Sequence, residues 1–401
     1  MPRVHFRGIV LTCCALASAT AISACTPPMP PDVLAVFAEN QITCEKGEVT
    51  VSVPEAFTGI MAGVGASLTG TCPEETVTEV PATEPAPVAL VSGTPASQQL
   101  ADFTTTCSAG NVVVVPAFAY PVGLVYNAPG LEGLYFTPQA VAGVLSGSIT
   151  SWNDPAIAEA NPDYILTDLP DMVLMSTDEP QASVEAMTGW LTQVAPDAWP
   201  SGPASSLEGG QRFATMSEML MEMGAVPGAI SVAPLSLAVM NGLGSASLPA
   251  TPAAEDPAGG ATVFISPDDA QLAKVGAGAT SVTVDEATGN IVAAPALGGI
   301  PVPGSFDLAA SKVVLSEGQP LAGWPVLAYA HLLVCDDPAN PVALNFAQYA
   351  LRLVGQGSIE AFGVVPVPEP IRVQTFVPLK VTVNTEGATA PVSASPMPST
   401  P

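Results

Sequence analysis

Histidine chemistry has almost no material in this chain. Of two histidines, His5 stands near the N-terminus and His331 lies inside the apolar run AYAHLLV. A lone imidazole in such a strand is expected to be a hydrogen-bonded core or edge group. With no second histidine beside it, there is no Ser-His-Asp arrangement and no His-based metal site. Gly-x-Ser-x-Gly and Walker-type strings are absent. The run MSEMLMEM places Met216, Met219, Met221 and Met223 close together, which is soft-metal chemistry on paper. Met216, Met219 and Met223 share one helical stripe with Leu220, however, and that spacing fills cores. No Cys-x-x-Cys spacing occurs. The reading is therefore of a non-enzyme, with no catalytic residue, metal or cofactor. The chemistry-bearing string that remains is STDEPQAS at 176–183, lying between a strand and a helix.

The composition narrows the partners. At 401 residues the chain is long enough for two domains or one two-lobed unit. Hydrophobic residues make up 48% and charged residues 11%, which excludes wholesale disorder. Nine Lys and Arg oppose 36 Asp and Glu, for a net charge of -27. Such a surface repels nucleic acid and anionic headgroups. An anionic ligand would have to be held by local donors against that field. Arg3 and Arg7 make a positive n-region, and Ile9 to Ile22 an apolar stretch too short to span a bilayer comfortably. The string Ile22-Ser23-Ala24-Cys25 looks like a bacterial lipobox, implying a signal over 1–24 and a lipid on Cys25. Ordinary cleavage nearby, with Cys25 incidental, is the alternative. If Cys25 is lipidated, Cys44, Cys72, Cys107 and Cys335 remain for two disulfides in an exported protein, with three possible connectivities.

The elements that must position any site alternate along the chain. Residues 26–32 (TPPMPPD) read as a proline-rich spacer within a linker over 25–47. A strand at Val49 to Val53 precedes a helix from Glu55 to Leu68. Residues 73–96 are acidic and proline-broken, with a short strand at Val88 to Val91. Tyr120 to Tyr126 is nearly continuous apolar residues, as in a strand buried on both faces. Thr137 then Pro138 is a helix start, hydroxyl cap followed by proline. A strand at Val173 to Met175 leads into a helix from about Glu179, with Val184, Met187, Leu191 and Val194 on its apolar face. Residues 245–304 read as a loop-and-hairpin elaboration around Ser281 to Val292. The Ser/Pro/Thr-rich stretch 384–401 lacks periodicity and reads as a disordered tail. Alternating strands and helices imply an α/β fold with mainly parallel sheets.

The segment 120–164, with its VYNAPG turn, TP helix start and GSITSWNDPAI run, resembles the PstS family of phosphate-binding proteins of bacterial phosphate ABC transporters. Residues 228–243 and 324–367, the latter closing on GVVPVP, resemble the same family. The resemblance implies a two-lobed periplasmic-binding-protein-like fold, two α/β lobes joined by a two-stranded hinge, closing on a ligand. It implies lobe I from 48–122 and 324–383, and lobe II from 123–323. The crossing strands would lie near Tyr120 to Val125 and Trp324 to Tyr329. Pairings within a lobe favour Cys44–Cys72 and Cys107–Cys335. The implied role is an extracytoplasmic, lipid-anchored monomer capturing phosphate or a related oxyanion for ABC permease subunits. Its location would be the outer face of the cytoplasmic membrane.

Carried over residue by residue, the family's ligand loops fall on Ser52, on Ser92 and Thr94, and on Thr177, Asp178 and Ser183. The departures are concentrated there. Where the family has "R-x-D-G-S-G-T", this chain has Ser176 for the arginine and Glu179, Pro180, Gln181 and Ala182 for the following four residues. Pro180 deletes an amide donor. A carboxylate at Glu179 about 6 Å from an anion would oppose it by roughly 2–3 kcal/mol. Arg212, in EGGQRF, is the one candidate to compensate. The alternative is a PstS-like scaffold that has lost phosphate and acts in surface interaction or assembly.

Overall fold

The description covers residues 29–108, 110–250, 262–267, 280–285, 288–295, 304–307, 312–315 and 324–384 of a computed structural model. In chain order the strands are β1 (Gly47–Val53), β2 (Glu75–Pro81), β3 (Val88–Ser92), β4 (Val112–Tyr126), β5 (Val173–Thr177), β6 (Gln211–Phe213), β7 (Ala229–Pro234) and β8 (Gly244–Ser245). They continue as β9 (Leu248–Pro249), β10 (Phe264–Ile265), β11 (Thr280–Val284), β12 (Ile291–Pro295), β13 (Gly304–Asp307), β14 (Lys312–Leu315), β15 (Leu327–Cys335) and β16 (Val365–Pro366). The helices are α1 (Pro31–Ala38), α2 (Ile60–Thr71), α3 (Ser97–Thr104), α4 (Pro138–Leu145), α5 (Pro155–Ala158) and α6 (Ala182–Val194). After these come α7 (Met216–Ala225), α8 (Leu235–Met240), α9 (Val342–Ala350), α10 (Leu353–Ile359) and α11 (Glu369–Thr375).

One sheet runs through both halves in the order β2-β1-β3-β15-β4-β7-β5-β6, with β16 and β8 also paired to β4. The pivot is β4, whose run of apolar residues is buried along nearly its whole length. Up to Pro121 it pairs antiparallel with β15; from Val122 it pairs antiparallel with β7. The expected handover between lobes thus falls within the hinge segment read from the sequence. Parallel pairing is confined to the outer strands, β1 with β2 and β3, and β5 with β6 and β7. The centre is antiparallel because the two strands passing between the lobes run in opposite directions. Pro116 is accommodated at a bulge where Ala330 pairs with Phe118 and His331 with Pro116. The residue between, Ala117, turns its carbonyl to accept from the Gln356 side chain at 3.0 Å.

Local signals set the helices. Thr137 accepts from the Ala140 N–H with Pro138 at the first helical position, and Asp154 caps the α5 turn by accepting from Ala156. Trp152, from the GSITSWNDPAI run, is buried edge-on against Tyr126, with ring centroids 5.4 Å apart. The expected helix from Glu55 is interrupted. Glu55–Phe57 is a 3₁₀ turn, and α2 starts only after Gly59, whose φ of 93° suits glycine. Likewise α6 begins at Ala182 and not Glu179, since Gln181 is extended, and Val194 at its end is exposed.

Both disulfides have the expected connectivity, Cys44–Cys72 and Cys107–Cys335. Two other expectations are corrected. Part of the stretch read as linker is helix α1, with Leu34, Ala35 and Ala38 buried. Glu39, following it, pairs with buried Arg372 of α11 and accepts from the Leu353 N–H. Proline at the start of a helix costs nothing, so a proline-rich string was compatible with one. The hairpin of β11 and β12 is present around Ser281 to Val292, and β14 and β13 extend it to four strands. It lies within residues expected in lobe II, yet it touches β4 and β15 at residues expected in lobe I. Asn290 accepts from the Val114 N–H of β4, and the Ala293 N–H donates to His331 of β15. The proposed signal, the lipobox at Cys25 and residues 385–401 lie outside the described residues. Among the described residues no helix is long and apolar enough to cross a membrane.

Candidate functional site: the cleft beside the crossing strands

A cavity of about 830 Å³ opens where the ends of β1, β2 and β3 face the starts of α6, α7 and α8. On the side of β1, β2 and β4 it is walled by Val53, Pro54, Phe57, Pro81 and Tyr120. On the other side stand Met216, Leu220, Leu237 and Met240. Its polar groups include Ser92, Ser183, Thr215, Gln181, Asn241 and three carboxylates, Glu55, Glu79 and Glu179. No Lys or Arg is among the described lining residues.

Two helix starts beside this space, those of α2 and α6, are equipped differently. At the start of α2, the Glu79 carboxylate accepts from the Gly59 N–H at 2.7 Å and from the Ala62 N–H at 2.8 Å. Residues 59 and 62 supply donors that no earlier turn can satisfy, and the helix dipole favours negative charge there. The protein's own carboxylate therefore holds the position an anionic ligand would take. At the start of α6 no side chain caps the helix, and the buried Ser183 hydroxyl has no hydrogen-bond partner. Pro180 and Glu179 precede it.

The residues expected to bind ligand are only partly brought together. Ser92 and Ser183 line the cavity, with Ser92 sharing a 2.7 Å hydrogen bond with the Tyr120 hydroxyl. Burial pushes the Tyr120 phenol well above its ordinary range, so it stays neutral. Thr94 lines a separate cavity of about 190 Å³ with Gly93, Ala182, Glu185 and Trp190. Ser52 is buried within β1, and neither it nor Thr177, Asp178 or Arg212 lines the larger cavity. Thr177 donates its hydroxyl to the Glu179 carbonyl. Arg212 corrects the expectation of a compensating cation. Its guanidinium donates to the Asp178 carboxylate at 2.6 Å and to the carbonyls of Leu207 and Thr177 at 3.0 and 2.9 Å. These bonds tie β6 to the end of its parallel neighbour β5 and to the segment leading into β6, and the guanidinium is engaged in doing so.

The loop between β3 and α3 meets α6 closely. Gly93 has φ of 76°, and a Cβ there would come within 2.6 Å of the Ala182 Cβ. Its carbonyl lies 2.7 Å from His331 Nδ1, while His331 Nε2 accepts from the Ala293 N–H at 3.0 Å. That pairing fixes the neutral tautomer with the proton on Nδ1. Burial depresses the imidazole to about 4. His331 is thus a core group, as its strand setting implied.

Glu79 and Glu55 were missed by sequence reasoning. The signal was available: ETVTEVP, at 75–81, alternates as an edge strand. Parallel to β1, it ends beside the turn that starts α2, the end of a parallel strand where ligands bind.

No family model matches the chain. Phosphate-binding protein PstS 3 of Mycobacterium leprae (strain TN) is 30% identical over 96 residues, 24% of this chain and 26% of that protein. PstS 3 of Mycobacterium tuberculosis (strain CDC 1551 / Oshkosh) is 29% identical over 96 residues with the same coverage. The matched stretch is thus about a quarter of the length of these curated relatives. Among solved structures, a high affinity periplasmic phosphate-binding protein, PfluDING, bound with phosphate, superposes with a TM-score of 0.55 at 14% identity. The match covers 82% of this chain and 93% of that one. An ancestral soluble variant of the human phosphate binding protein gives 0.53 at 14% identity, with the same coverage of both chains. The chain thus has the two-lobed α/β fold of these periplasmic phosphate-binding proteins, and a quarter of its length is similar in sequence to the PstS 3 proteins.

Proposed function

We propose that this chain is an extracytoplasmic PstS-type binding protein, anchored by lipid on Cys25, whose cleft has turned away from free phosphate. One observation carries the reading. The N–H groups at the start of α2 are taken by Glu79, with Glu55 and Glu179 on the same cavity and no Lys or Arg among its described lining residues. Each carboxylate within about 6 Å of a bound anion opposes it by roughly 2–3 kcal/mol, about a hundredfold in affinity. Arg212 offers no remedy, being committed to Asp178 and two carbonyls. Lobe I comprises residues 48–122 and 324–383, with α1 and the hairpin of β11 and β12 packed on it. Lobe II comprises the remainder of 123–323. The chain acts as a monomer, without catalysis, in surface binding or assembly.

A second reading has its own support. The relatives matched in sequence are named as phosphate-binding proteins, and Ser92 and Ser183 remain in the cavity as hydroxyl donors. In it the chain delivers phosphate or a related oxyanion to ABC permease subunits. Isothermal titration of the purified chain with phosphate separates the two. No heat of binding up to millimolar phosphate is expected; tight binding at one site per chain overturns the first reading in favour of the second.

A further inference from the structure

Resting on the reading that free phosphate is not the ligand, the cleft still presents a built site, and we infer that it takes an organic cation with an apolar body. Charge supplies the first reason. Glu55 and Glu179 stand on the cavity wall without an ion pair among the described residues, in a chain of net charge -27. Their field, added to that of the whole surface, draws a cation towards the cleft and repels an anion. The second reason is independent of charge. Ser183, a lining residue, is 2% exposed, and among the described residues its buried hydroxyl has no partner. A buried, unpaired hydroxyl calls for a polar group from outside.

The walls set the ligand's body. Phe57 and Tyr120 close the floor, packed against each other and buried, with Leu220 and Leu237 opposite and Met240 exposed at the rim. Methionine adapts to the shape of an apolar body. About 830 Å³ is the size of a drug-like ligand site, much larger than one inorganic ion needs. A metal ion does not fit, since among the described residues no group of three or more His, Cys, Asp or Glu is placed to hold one.

Two ions of the same shape and opposite charge test this on the exported chain: tetraphenylphosphonium and tetraphenylborate, each followed by isothermal titration. The phosphonium should bind at one site per chain, at least tenfold tighter than the borate. The double variant Glu55→Gln/Glu179→Gln should weaken the phosphonium by about tenfold to a hundredfold. Glu132→Gln, at an exposed carboxylate away from the cleft, should leave it unchanged. Equal or tighter borate binding overturns the inference, as does phosphonium binding indifferent to the double variant. Because the ion pair is compared on the unaltered chain, a misfolded variant cannot decide the outcome. Phosphate titrated into the same preparation keeps the two readings apart. Tight phosphate binding removes the underlying reading, whereas silent phosphate with failed phosphonium binding removes the organic cation alone.

Discussion

The starts of α2 and α6 stand beside the same cavity and are satisfied in opposite ways. At α2 the donors are answered from within, by a carboxylate reaching across from β2. At α6 no side chain answers, and a buried hydroxyl is left without a partner. A scaffold that binds anions by helix starts can be closed to them in two ways, by supplying its own anion or by removing donors. In the proposed reading this chain does the first at Glu79 and the second at Pro180. Neither feature disturbs the strands behind, so the fold is compatible with a changed ligand.

The largest expected effect concerns the support behind α6. His331 holds the loop that meets Ala182, and its folded-state value, about 4, lies below the ordinary histidine range. Its contribution to stability is complete above about pH 6.5 and is lost as pH falls from there to about 4, by roughly 3 kcal/mol. Urea unfolding of wild type and His331→Gln at pH 7 and pH 4.5 should show the smaller decline in the variant. Equal declines would remove His331 from this role. Next, Glu79→Ala should destabilise by about 2 kcal/mol, since two charge-assisted bonds at a helix start are lost. Added sulfate should restore part of that loss in the variant and none in wild type, measured by thermal unfolding. Gly93→Ala should cost about 1–2 kcal/mol for a left-handed backbone alone, with the contact to Ala182 adding to it. The smallest effect has the reverse sign. Ser183→Ala removes an unpaired buried hydroxyl and should leave stability unchanged or raise it by up to about 1 kcal/mol. A loss above that would show that Ser183 has a partner, and the contrast between the helix starts would fall.

Much of the frame was legible because it rests on local rules. The apolar run through Tyr120 to Tyr126, the cap at Thr137 and the stripe of Met216, Met219 and Met223 needed no distant residue to be read correctly. The disulfides were legible once the lobes were assigned. The site was harder because its decisive contacts join residues far apart in sequence. Glu79 lies 20 residues from Gly59, and its role depends on the parallel register of β1 with β2. Arg212 could be seen as an available cation, but its three partners depend on how β6 lies beside β5. Helix α1 was hidden by prolines that also suit a spacer, and its packing depends on Arg372, more than 300 residues away.

The handover at Pro121 and Val122 has a mechanical consequence. The Val122 N–H donates to the Val326 carbonyl, and the Val122 carbonyl accepts from the buried Trp324 indole. Both polar groups of one residue are therefore fastened to the neighbouring strand at the point where β4 changes partners. Opening of the cleft is thus expected to twist the two crossing segments together and leave these bonds made. Amide exchange at Val122 should accordingly stay slow while the lobes part and close.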